Sequence, residues 1–234
     1  MQYKYETHTH TSEVSKCSKI TAEELVRFYK ICGFSGICIT DHFLNGNTIV
    51  PHELQWAERI ELFCLGYEKA YTEGKRVGIE VYFGWEYSYL GTDFLTYGLG
   101  KKWLLDHPDL LSLSVNEYCD LVHESGGFIV HAHPFCEADY ISMIRLFPRK
   151  VDAIEVLNAC RSDFQNKCAD EYADNYNLLK VAGSDNHKGR LDRLCGIQLK
   201  KRLKCVNDMI NAIKNGNTDI IEIKSIIDEP ESSR

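Results

Sequence analysis

Residues 36–42 read Gly-Ile-Cys-Ile-Thr-Asp-His, and the fold can be read outward from this stretch. Ile37 to Thr40 are apolar or β-branched without a polar break, the pattern of a strand buried on both faces. The run stops at Asp41 and His42, two side chains that bind metals more readily than they pack. In parallel α/β folds the working residues collect at the C-terminal ends of strands. A buried strand ending in metal-binding side chains is therefore the unit to look for along the rest of the chain.

Upstream, a strand over 3–7 runs into His8-Thr9-His10. A helix follows over 21–30, with Thr21 and Glu24 forming a capping box and Gly33 as its stop. Downstream, a helix is expected over 52–72, ending at Gly74, and then a strand over 77–83 that leads into Glu86. A short strand over 94–97 comes next. A second capping box, Ser114 with Glu117, opens a helix that ends at Gly126 and Gly127. A strand over 128–130 runs into His131-Ala132-His133-Pro134, where the proline stops it. Helices over 138–147, 163–178 and 206–215 alternate with strands over 151–157 and 180–182, and the latter strand leads to Gly183-Ser184-Asp185-Asn186-His187. The rhythm amounts to about seven β/α units, an α/β fold.

The 234 residues suit one domain spanning 1–234, with a core over 1–227 and a polar tail over 228–234 that is expected to fray. Apolar residues make up 44%, enough for a sizeable core. The formal net charge of −7 argues against a broad nucleic-acid or membrane surface. A phosphate substrate stays open, because bound cations reverse the local field. None of the 10 cysteines forms a C-x-x-C pair, and neither a signal segment nor an apolar run of membrane-spanning length is visible. Reduced cysteines and a cytoplasmic location are expected. The aromatic run Tyr82, Phe83, Trp85, Tyr87 and Tyr89 is expected to pack, and the basic run over 200–204 to be a solvated face.

Six of the 9 histidines lie in the strand-end motifs, so one shared metal site is expected. His8 and His10, two apart on a strand, share a face and can hold one ion. Asp41 can orient the ring of His42. Glu86 can bridge two ions. Of the second H-x-H pair, His133 is the expected ligand rather than His131, and one of the two is expected either to face the core or to support the ligands from behind. Asp185 and His187 close the set. His52, His107 and His123 carry no expected metal role, and His123 is expected to meet the C-terminal dipole of its helix.

Taken in order, His8–His10, Ile39–His42, Gly84–Glu86, His131–Pro134 and Ser184–His187 resemble the PHP family, the polymerase and histidinol phosphatase domain, over roughly residues 3 to 200. The resemblance implies a distorted (β/α)7 barrel, TIM-barrel-like, holding two or three divalent ions: zinc, manganese or iron. By position, it places His8, His10, Glu86 and Asp185 around a first ion. Glu86 would bridge to a second ion bound by His133, and His42 and His187 would hold a third. The chain departs from the family pattern at two places. About five residues after the H-x-H pair, where relatives carry an acidic residue or histidine, stand Ser15, Lys16 and Cys17, with Glu13 nearby as a substitute. Ahead of Tyr97-Gly98, Asp93 takes the place of a histidine and joins the expected metal ligands. Carboxylate ligands favour harder ions, manganese or iron over zinc.

The implied reaction is hydrolysis of a small phosphorylated substrate, a phosphomonoester such as histidinol phosphate, a nucleotide or an oligonucleotide end. It would run through a metal-activated hydroxide, since bound water falls from a pKa of 15.7 to about 7. Glu86 and Asp185 are the expected catalytic residues. Two alternatives stand beside it: an amidohydrolase-like C–N hydrolase, for which no bridging lysine can be placed, and a non-catalytic metal-binding module.

Overall fold

The computed structural model describes residues 2–189 and 192–224; the 228–234 tail lies outside the described residues. The elements run β1 (Tyr3–Glu6), α1 (Ala22–Ile31), β2 (Gly36–Ile39), α2 (Trp56–Phe63), α3 (Leu65–Val77), β3 (Glu80–Tyr89), β4 (Thr92–Tyr97) and α4 (Lys101–Asp106). They continue with α5 (Val115–Glu124), β5 (Phe128–Ala132), β6 (Ala153–Asn158), α6 (Asp163–Tyr176), β7 (Leu179–Gly183), β8 (Arg193–Leu199), α7 (Val206–Lys214) and β9 (Asp219–Lys224).

Nine strands form one sheet in the order β7-β6-β5-β4-β3-β2-β1-β8-β9. The sheet curls until β7 meets β1. Thr7 Oγ1 donates to the Ala182 carbonyl at 2.8 Å, and His10 N donates to the Asn186 carbonyl at 3.1 Å. Glu6, fully buried, accepts from Ser184 N at 2.8 Å and from the Tyr29 hydroxyl at 2.7 Å, and so ties β1 to both the β7 end and α1. The result is an α/β, barrel-shaped sheet, as expected, but not a set of seven β/α repeats. β4 is antiparallel to both β3 and β5, and the pair β8–β9 is added antiparallel on the far side of β1.

The departures have local causes. β3 and β4 are joined by only two residues, Leu90 and Gly91, both at positive φ (50° and 81°). That is the geometry of a tight hairpin whose twist matches its strands, so no crossover helix fits between them. The helix expected over 52–72 splits at Cys64, which caps α2 and opens α3. α3 runs through Gly74, which is not a stop. A Cβ there would lie 2.6 Å from Val81 Cγ2, so Gly74 lets α3 press against the following strand. β3 begins at Glu80 rather than 77 and extends past Glu86. The helix expected over 138–147 does not form. The segment crosses the β3–β4 hairpin as a loop, with Arg145 Nη1 donating to the Leu90 carbonyl at 2.7 Å and Ile141 set against Gly91. The capping boxes at Thr21–Glu24 and Ser114–Glu117 both form.

The aromatic run of β3 packs as expected. Trp85 and Tyr87 are buried, Trp85 donates to the Tyr118 hydroxyl at 2.8 Å, and Tyr87 stacks on Tyr118 with ring centroids 3.7 Å apart. Because side chains alternate along a strand, this packing turns Glu86 to the opposite face, into the barrel.

Candidate metal centre

The strand ends converge as the sequence suggests. Three overlapping sets of ligand atoms, each within 4.8 Å of one another, could hold metal ions: His8, His10 and Asp185; His8, Glu86 and His133; His10, His42 and His187. Glu86 stands where they meet. Its carboxylate lies 3.3 Å from His8 Nε2, 3.5 Å from His10 Nε2, 2.6 Å from His42 Nδ1 and 3.1 Å from His133 Nε2. Asp185 Oδ1 lies 3.6 Å from His8 Nε2 and 3.4 Å from His10 Nε2.

A test of fit comes from the protons. The Nδ1 of His8 is 2.9 Å from Glu155 Oε1, an acceptor, so Nδ1 carries the hydrogen. The Nδ1 of His10 is 3.1 Å from Ser15 Oγ, whose own hydrogen goes to Asp41 Oδ1 at 2.7 Å, so here too Nδ1 donates. In the neutral rings both Nε2 atoms are then left with lone pairs, and they face each other at 3.0 Å inside a fully buried site. Two such lone pairs repel unless a proton or a metal ion lies between them. Glu86 Oε2 and His42 Nδ1 are likewise buried without a hydrogen-bond partner; their 2.6 Å approach is out of hydrogen-bond alignment. Burial alone would lower the pKa of His8, but the charges of Glu155, Asp185 and Glu86 lift it well above the usual imidazole range. Burial would raise Glu86 and Asp185, yet the surrounding imidazoles hold both well below the carboxylate range. The pocket draws positive charge to its centre, and the donor set suits divalent ions.

The backbone at two ligands is unusual. His133 (φ 29°) and Asp185 (φ 54°) are non-glycine residues in the left-handed region, a strain that persists only where surroundings over-determine it. At His133 this turn breaks the alternation of β5. It carries His133 into the site, its N–H donating to Glu155 Oε2 at 3.0 Å, and leaves His131 behind. His131 is fully buried against Phe94, with ring centroids 5.2 Å apart, and burial pushes its pKa down to about 3.

Four expected roles are redistributed. Asp41 does not orient His42: it accepts from Thr11 N (2.6 Å), Thr11 Oγ1 (2.7 Å) and Ser15 Oγ, and so acts on His10 through the serine. Glu13 accepts from Ala22 N at 3.0 Å and does not face the centre. Asp93 lies outside the three ligand sets, bonded by Ser88 Oγ at 2.6 Å; desolvation and the nearby Glu86 charge raise its pKa. His123 meets Asp152 Oδ2 at 3.0 Å, a side chain rather than only the helix dipole.

Sequence reasoning missed four residues here. Glu155 holds both His8 and the His133 N–H, and Asn158 Nδ2 braces it at 2.9 Å. A carboxylate inside the apolar strand Ala153–Asn158 was the available signal, since a buried charge needs partners. Arg161 Nη2 donates to Asp185 Oδ2 at 3.0 Å. Cys17 Sγ lies 3.2 Å from His42 Nε2; burial would raise its thiol, but bonds from the His187 and His42 rings bring it down to about 6.

No helix among the described residues is long and apolar enough to cross a membrane. No curated protein matches the chain. Among solved structures, it is similar to a two-domain protein from Bacteroides vulgatus that contains a predicted PHP-like metal-dependent phosphoesterase (TM-score 0.68, 16% identity, 94% of this chain and 65% of that one). It is similar to an amidohydrolase from Chromobacterium violaceum with bound sulfate (TM-score 0.53, 15% identity, 79% of this chain and 87% of that one). It is also similar to a lesion-specific endonuclease from Pyrococcus furiosus (TM-score 0.58, 13% identity, 94% of this chain and 58% of that one). The chain thus spans less than two thirds of the first and last of these, and at such identities the likeness speaks for the fold. The pattern of the PHP domain matches residues 6–225, which contain every strand end described above, and the chain belongs to the PHP domain family.

Proposed function

We propose that the chain is a metal-dependent phosphoesterase acting on a small phosphomonoester or a nucleotide. The observation that carries this reading is the pair of ring nitrogens, His8 Nε2 and His10 Nε2, facing at 3.0 Å beside a carboxylate that touches four imidazoles. That arrangement suits two or three ions sharing Glu86. Bound ions would supply an activated water and neutralise phosphoryl charge.

The chain's own residues set the geometry. Glu155 and the Asp41–Ser15 pair fix the tautomers of His8 and His10, so each presents Nε2 inward. Asp185 reaches both rings with one oxygen and anchors Arg161 with the other. The Arg161 side chain, held on Asp185 at 3.0 Å, stays partly exposed beside the centre, a cation suited to a phosphate oxygen. A Ser-His-Asp nucleophile is not needed. The amidohydrolase alternative is less supported, because Glu86 rather than a lysine stands at the meeting point of the imidazoles.

The test pairs metal analysis with turnover of an aryl phosphate. We expect more than one divalent ion per chain, loss of turnover on chelation, and recovery with manganese, iron or zinc. Full turnover after verified metal removal, or no more than trace metal after reconstitution, would refute the reading.

A further inference from the structure

The outer part of the centre lacks a ligand on the histidine count alone. His10 Nε2 is committed inward, among His8 Nε2 at 3.0 Å, Asp185 Oδ1 at 3.4 Å and Glu86 Oε2 at 3.5 Å. One ring nitrogen serves one ion, so His42 and His187 are left as a pair. Two protein ligands hold a divalent ion poorly; sites that keep an open position normally use three.

We propose that Cys17 supplies the third ligand, making with His42 and His187 a thiolate-containing zinc site at the mouth of the barrel. The proposal rests on the multinuclear reading above. Cys17 Sγ lies 3.2 Å from His42 Nε2. The His187 Nδ1 donates to the Asp185 carbonyl at 2.8 Å, which leaves its Nε2 as the ligand. The His42 and His187 rings lie with centroids 5.7 Å apart, both close against His10.

The loop that carries Cys17 is fastened on both sides of it. Lys16 N donates to the Asn47 carbonyl at 2.9 Å, next to the His42 loop. Lys19 N donates to the His187 carbonyl at 2.7 Å. Ser18 Oγ adds a bond to the His10 carbonyl at 3.1 Å. The cysteine is thus held between the two histidines by contacts to the segments that bear them. A soft thiolate selects zinc or cobalt over manganese, so the mouth and the carboxylate-rich interior would differ in metal preference. With three protein ligands, the fourth position remains open to water or a phosphate oxygen.

The experiment loads metal-free protein with cobalt(II) and records its absorption, then counts zinc in zinc-loaded protein. The expected result is a near-ultraviolet sulfur-to-cobalt charge-transfer band that Cys17→Ser abolishes. Visible cobalt bands from the remaining ions should persist, and zinc content should fall by one ion per chain. Cys205→Ser, at an exposed cysteine, should leave the band intact. As a check independent of folding of the variant, zinc should protect Cys17 of the wild-type chain from alkylation, mapped by mass spectrometry. Cobalt that binds without a sulfur band, or a band that survives Cys17→Ser, overturns the proposal and leaves the multinuclear reading standing. If no cobalt binds at all, both fail.

Discussion

The interior of the metal centre and its mouth differ in how they are held. In the interior, His8, His10 and Glu86 are fully buried, and each histidine is locked by a partner on its far side, Glu155 for one and the Asp41–Ser15 pair for the other. At the mouth, the side chains of His42 and His187 keep 15% and 20% of their exposure, and they hang from loops beyond the strands. The interior pays its ordering cost on folding, when strand pairing places the rings. The mouth retains access to solvent, where an ion can exchange and a substrate can enter. Affinity is expected to be concentrated inside and adaptability outside.

Four substitutions break or sharpen this contrast. The largest effect is expected from Glu86→Gln, which keeps volume but removes the charge shared by four imidazoles. Metal content should drop below one ion per chain and aryl-phosphate turnover by at least about 100-fold, while the thermal transition stays cooperative. Near-wild-type metal content would show that interior and mouth do not share this carboxylate.

Glu155→Gln acts one bond further out. The amide can no longer reliably accept from His8 Nδ1, so a loss of about 10–100-fold in metal affinity or turnover is expected. Competition with a chelator of known strength measures it; an unchanged affinity would mean that interior bracing contributes little.

His187→Ala is the test at the mouth. It should cost one ion per chain and raise KM for an aryl phosphate, with the interior ions retained. Loss of all metal would show that the two ends do not bind separately.

The smallest effect is expected at His123, outside the centre. Its bond to Asp152 is partly solvated, so His123→Ala should cost about 1 kcal/mol of stability or less and leave turnover within about twofold. Calorimetry and a kinetic assay check both; a large loss of turnover would extend the functional region to α5.

The alternation of apolar runs with polar strand ends could be read from residues alone, because burial demands apolar side chains and a chain end at the sheet rim releases that demand. So could the caps, since Thr21 and Ser114 need only a glutamate three residues on. The ligand motifs His8–His10, Asp185–His187 and Glu86 were legible for the same reason: each is a short local pattern. The tertiary structure decided what depends on partners far along the chain. The tight turn at Leu90–Gly91 set β4 antiparallel, and the loop over 138–147 followed the hairpin rather than its own helical pattern. The positive φ at His133 separated it from His131, a choice no spacing rule contains. Glu155 and Cys17 stand 147 and 25 residues from the rings they touch, so their roles arise only when strand register brings those backbones together. Local sequence determines which residues can bind a metal and where strands end; register and closure determine which of those ends meet, because that choice is settled by packing energy summed over the whole barrel.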